Sequence, residues 1–146
     1  EHLDNAHGIC IDKRSGTETL LVTDRTRNAF KRFSLDGKLL EVIHLPGACV
    51  CRPVIRGDYL YAAVLRSPDL GAEGTGFVTI LDKNNRVVSN IGGTAPEYGP
   101  DGKLKPMAQA EKIFVHPHDV CVDSDENLYV AQWASGKVYP YKFTRV

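Results

Sequence analysis

Short apolar runs separated by polar turns recur along the chain, and none shows the three-to-four-residue spacing of an amphipathic helix. Gly8-Ile9-Cys10-Ile11 predicts a strand, Lys13-Arg14-Ser15-Gly16 a turn, and Thr19-Leu20-Leu21-Val22-Thr23 a second strand. The polar Asp24-Arg25-Thr26-Arg27-Asn28 leads into a third strand, Ala29-Phe30-Lys31-Arg32-Phe33-Ser34, whose mixed polarity suits a partly exposed face. Asp36-Gly37 is a hairpin turn signal, and Leu39-Leu40-Glu41-Val42-Ile43 predicts a fourth strand. Four short antiparallel strands in about 40 residues make one propeller blade.

The pattern then repeats. Cys49 to Ile55, Tyr59 to Val64, Phe77 to Leu81 and Arg86 to Ser89 predict the strands of a second unit, the first pair joined by a turn at Arg56-Gly57-Asp58. Residues 93–112, polar and rich in proline and glycine, carry no strand pattern and predict a surface loop or a lid. A third unit begins near His116, with strands expected around Val120–Val122, Leu128–Ala131 and Lys137–Phe143. Its start, Pro117-His118-Asp119-Val120-Cys121-Val122-Asp123, is a near-copy of Ala6-His7-Gly8-Ile9-Cys10-Ile11-Asp12. The expected class is therefore all-β, about three four-stranded antiparallel blades over 5–46, 47–92 and 113–146, half of a six-bladed propeller.

Composition narrows the partners. Eighteen basic residues balance eighteen acidic ones over 146 residues, so no net field draws the chain to nucleic acid or to an anionic membrane. No apolar run approaches the ~20 residues of a membrane-spanning helix. A lone half ring exposes two apolar flanks, so the remaining blades are expected from a longer parent chain or from a second copy.

Of the four cysteines, Cys10 and Cys121 hold matching strand positions and read as small buried hydrophobes. Cys49-Val50-Cys51 is a CxC without a second such pair, a weak metal signal. The histidines carry more. The innermost strand of each blade lines the channel, and a residue just before it sits at the channel mouth, where His7 and His118 stand in alternate blades. Three histidines about 120° apart on a six-bladed ring would converge on the axis in the facial arrangement of catalytic zinc. The third would lie two blades upstream. The middle unit offers Arg52-Pro53 at the equivalent place, a further cation at the mouth. Read alone, each residue keeps a plain structural alternative: rim histidines bonded to neighbours, Arg25 paired with Asp24, Asp119 as a turn cap. His116, His2 and His44 read as exposed or bonded within turns.

Pro/His-x-Val/Ile-x-Val/Ile-Asp, followed by an apolar second strand and a basic or aromatic third, resembles the NHL repeat. His7-Gly8-Ile9-Cys10 with Leu21-Val22-Thr23-Asp24-Arg25, then Gly76-Phe77-Val78, then Pro117-His118-Asp119-Val120 with Tyr129-Val130-Ala131 are similar to the C-terminal half of the catalytic core of the peptidyl-α-hydroxyglycine α-amidating lyase family. The resemblance implies a zinc ion on three axial histidines, a structural calcium, an active-site arginine, and products that are a peptide amide and glyoxylate. It makes His7 and His118 zinc ligands, Asp119 a calcium ligand and Arg25 the active-site arginine. The third histidine and the family's tyrosine would lie upstream of residue 1, and the family's disulfides are not clearly matched. It further implies a small peptide-like substrate and a secreted or periplasmic setting. Two other functions stay open: a non-catalytic NHL propeller binding a protein or glycan partner, and a calcium-dependent lactonase-like hydrolase.

Overall fold

The computed structural model describes residues 2–145. The chain forms eleven strands in three antiparallel sheets, with a single 3-10 turn at Arg25–Arg27 and no α-helix among the described residues. No helix among them is long and apolar enough to cross a membrane.

The first sheet joins β1 (Ala6–Asp12), β2 (Thr19–Asp24), β3 (Ala29–Phe33) and β4 (Leu39–His44) in chain order. The second does the same with β5 (Val54–Arg56), β6 (Tyr59–Val64), β7 (Phe77–Leu81) and β8 (Val87–Ile91). The third has β9 (Pro117–Val122), β10 (Leu128–Gln132) and β11 (Tyr141–Phe143).

The middle sheet is buried on both faces, and the two-residue period of a strand accounts for it. Leu60, Ala62 and Val64 of β6, with Phe77 and Leu81 of β7, pack with Leu21, Phe30 and Ile43 of the first sheet. The intervening Ala63 and Val78 face the other way and pack with Val120, Leu128, Val130 and Phe114. The alternation also leaves the far face of the first sheet open: Cys10 packs inward while Ile9 and Ile11 are 57% and 44% exposed.

Three expectations about the fold need correction. The third unit shows the three strands expected for it among the described residues, one short of a four-stranded blade, but β11 starts only at Tyr141 instead of near Lys137. Ala134, Gly136 and Lys137 all have positive φ (46°, 79° and 66°), which takes the chain out of extended conformation before Pro140. The first strand of the second unit is also broken, with regular pairing only over Val54–Arg56. Upstream, Val50 makes one bridge to Val64, and Pro53 has no N–H to extend the ladder. Cys121, finally, is exposed, while Cys10 is half-buried at the margin of the first core cluster.

Residues 93–112 do not hang free. Isolated bridges pair Gly93 with Gln109 and Tyr98 with Leu104, and Met107 inserts into the core between the first two sheets. The Met107 N–H donates to the Pro46 carbonyl at 2.8 Å, and Ser67 Oγ donates to the Met107 carbonyl at 3.1 Å. The segment follows β8 and precedes β9, so it lies at the end of the sheets where His7 and His118 stand.

Candidate metal centre

Each histidine projects from the start of the first strand of its sheet. His7 is the second residue of β1 and His118 the second of β9. Two glycines set the spacing around them. A Cβ on Gly8, next to His7, would lie 2.5 Å from the Arg52 Cα. A Cβ on Gly76 would lie 2.1 Å from Cδ of Pro117, the residue before His118, and 2.7 Å from the Val64 carbonyl oxygen. The strand starts of neighbouring sheets therefore come closer than any larger residue permits.

The result is a direct meeting of two imidazoles 111 positions apart: Nε2 of His7 lies 3.2 Å from Nε2 of His118. The rings are nearly perpendicular, at 83°, with centroids 4.9 Å apart. Both are half-buried. Burial first, then the Arg25 guanidinium, lower the pKa of each imidazole; the charge of His118 lowers that of His7 further, and Asp119 opposes the shift in both. Neutral imidazole is the form that ligates a metal.

Arg25 is buried at the end of β2, inside the 3-10 turn. Its Nε donates to the Val50 carbonyl at 3.3 Å and its Nη2 to Cys51 Sγ at 3.1 Å. Asp24, the simplest salt-bridge partner for it by sequence, instead accepts the N–H groups of Asp4 and Asn5 and pairs with Lys31 at 3.0 Å.

Cys51, in sequence only half of a weak CxC signal and not among the expected ligands, joins them in the structure. Its Sγ and one ligating nitrogen from each of His7 and His118 all lie within 4.8 Å of one another, the one cluster of three such side chains among the described residues. The signal available was position: Cys51 directly precedes Arg52-Pro53, the middle unit's counterpart of the histidine sites. Burial pushes its thiol up to about 11, with Arg25 opposing.

This donor set could hold a metal ion, and its nitrogen and sulfur atoms are of the kinds zinc accepts. A tetrahedral ion with bonds of about 2.05 Å sets two nitrogens roughly 3.3 Å apart, which the observed 3.2 Å meets. Calcium fits less well, since it takes about 6–8 oxygen ligands. Asp119 is a single carboxylate whose Oδ1 and Oδ2 already accept from Arg52 Nε (3.2 Å) and Nη2 (3.0 Å), with the Val120 N–H also on Oδ1 at 2.9 Å. No group of three acidic side chains converges there among the described residues. Arg52, just ahead of β5, is thus an ion-pair partner of Asp119 on β9.

His116 stands apart from the centre. It is buried instead of exposed, accepts the Gly74 N–H at Nε2 (3.2 Å) and packs on Trp133 with ring centroids 5.8 Å apart. His2 and His44 are exposed. No protein-family description matches the chain, and no curated protein is similar enough to it to count as a relative.

Proposed function

We propose that the chain is half of a six-bladed NHL-type propeller whose His7–His118 centre belongs to a zinc-dependent lyase, one that converts a peptidyl-α-hydroxyglycine to a peptide amide and glyoxylate. The observation that carries this reading is the 3.2 Å approach of the two histidine nitrogens, drawn from the first and third sheets across the middle one. The three stacked sheets read as consecutive blades, and the open outer faces of the first and third read as the places of the remaining blades, from the same parent chain or from a second copy.

Bound zinc would supply Lewis acidity that makes a hydroxyl oxygen acidic near neutral pH. The remaining work falls to the protein. Burial and Arg25 favour the neutral form of the two imidazoles, the form whose lone pairs can ligate. Arg25 is the buried cation beside them, and its charge suits the carboxylate of an α-hydroxyglycine. In the reaction the hydroxyl loses its proton, the carbon–oxygen bond closes to an aldehyde, the C–N bond breaks, and the nitrogen takes up a proton and leaves as the amide. The half-exposed histidines give a substrate of peptide size its access.

The test is glyoxylate release from an N-acyl-α-hydroxyglycine by the zinc-supplied protein together with its remaining blades. Release that falls by about 100-fold or more in His118→Ala and in Arg25→Ala is expected, as for loss of a metal ligand and of a positioning clamp. Zinc-loaded protein that releases no glyoxylate would support a non-catalytic ring that binds a protein or glycan. Calcium-dependent hydrolysis of a lactone would support the hydrolase.

A further inference from the structure

Cys51 is fully buried, and neither the strand pattern nor the family resemblance gives it a task. Its surroundings place it where the three sheets meet. From the first sheet, Thr23 Oγ1 donates to the Cys51 carbonyl at 2.6 Å and Arg25 Nη2 donates to Sγ at 3.1 Å. From the second, the Cys51 N–H donates to the Ala63 carbonyl at 2.8 Å. On the side of the third, Sγ lies 3.9 Å from the carbonyl of Pro117, the residue before His118. Backbone and side chain are both held, and the sulfur sits beside the two imidazoles.

The geometry points to Cys51 as the third protein ligand of the metal held by His7 and His118, a two-histidine, one-thiolate centre whose fourth position stays open. This rests on the metal-centre reading above and revises one part of it: the third donor comes from within this chain, in the place given to a histidine upstream.

Distances and charge both support the assignment. A zinc–thiolate bond of about 2.3 Å beside zinc–nitrogen bonds of about 2.05 Å sets sulfur roughly 3.6 Å from each nitrogen. The three donors already lie within 4.8 Å, so closing to those distances takes movement on the order of 1 Å, shared among the three side chains. Coordination breaks the S–H bond, forms a metal–sulfur bond and releases the proton to solvent, with no change of oxidation state. The thiolate lowers the centre's charge by one, and the Arg25 guanidinium already in contact with Sγ faces that new negative charge as its counter-ion. Cys49, two residues earlier, is buried too, but its sulfur contacts Asn28 at 3.5 Å and it is not part of the cluster. Two imidazoles with one thiolate select zinc or cobalt over magnesium and calcium.

Cobalt(II) titration of the whole chain reads the ligand directly, because a thiolate ligand adds a near-ultraviolet sulfur-to-cobalt charge-transfer absorption that imidazole and water do not. One cobalt per chain is expected, with that absorption present in the wild type and in Cys49→Ser. Cys51→Ser is expected to lose the absorption and to bind cobalt at least ~10-fold more weakly. Saturable binding without the absorption in the wild type, or an absorption that survives Cys51→Ser, would overturn the assignment and leave the histidine centre standing. No saturable binding would overturn the histidine centre itself, and this inference with it. Should Cys51→Ser fail to fold, the wild-type spectrum, set against that of Cys49→Ser, still decides.

Discussion

Burial by itself would raise the carboxyl of Asp12, whose side chain is 1% exposed. Hydrogen bonds from the side chain and N–H of Arg14 and from Arg32 outweigh it and hold the pKa at about 2. Because the folded value lies below the ordinary ~3.9, this stabilisation is complete above pH ~4 and is lost as pH falls toward ~2, about 2 kcal/mol in all. Asp12→Asn removes the acid and leaves the buried Arg14 without its counter-charge, a cost of about 3–5 kcal/mol. Urea unfolding at neutral pH should register that loss, and the gap between variant and wild type should narrow as pH drops from ~4 to ~2. A gap independent of pH would show that Asp12 is not ionised in the fold. In sequence Asp12 only ends the first strand ahead of the Lys13–Gly16 turn, and part of its role is local, since it accepts the Arg14 N–H at 3.0 Å. Its other partner lies 20 residues away on β3, and Asn85 of the second sheet joins the cluster through Arg14, so no local pattern could show them. The same holds at the centre. His7 and His118 could be paired in advance because each repeats one position of a repeated unit, whereas Cys51 repeats nothing.

At the scale of elements, strand existence was legible and strand continuity less so. Asp36-Gly37 closes the hairpin between β3 and β4 as its residue types require, and the Gly37 φ is +91°. What the alternation of apolar residues could not show was where a ladder stops, as at Pro53 or after the positive-φ residues before Pro140. Nor could it show how a polar, proline-rich insertion anchors itself through one buried residue, Met107. Close backbone approach was equally hidden, since a glycine at the start of a strand looks like any other. Gly76→Ala tests its importance. The added methyl would meet the Pro117 ring and the Val64 carbonyl, so the starts of β7 and β9 must part, at about 1–3 kcal/mol. Because Pro117 leads into His118, zinc affinity should fall along with the unfolding midpoint. Unchanged zinc affinity in a destabilised variant would separate the packing from the site.

For the molecule as a whole, the middle sheet is sealed on both sides, while the first and third each keep a face with apolar groups in solvent, Ile9 and Ile11 on one and Cys121 on the other. Three sheets in a row account for that asymmetry, since only the middle one has a neighbour on each face. The first strands of the sheets flanking the middle one bring their imidazoles to 3.2 Å. The account as a whole depends on those two side chains sharing one ion. Equilibrium dialysis against zinc, run on the wild type, His7→Ala and His118→Ala, measures this most directly. One zinc per chain in the wild type and none at the same free zinc in either variant is the predicted result; a wild type that stays metal-free, or a variant that still takes up its zinc, would contradict it.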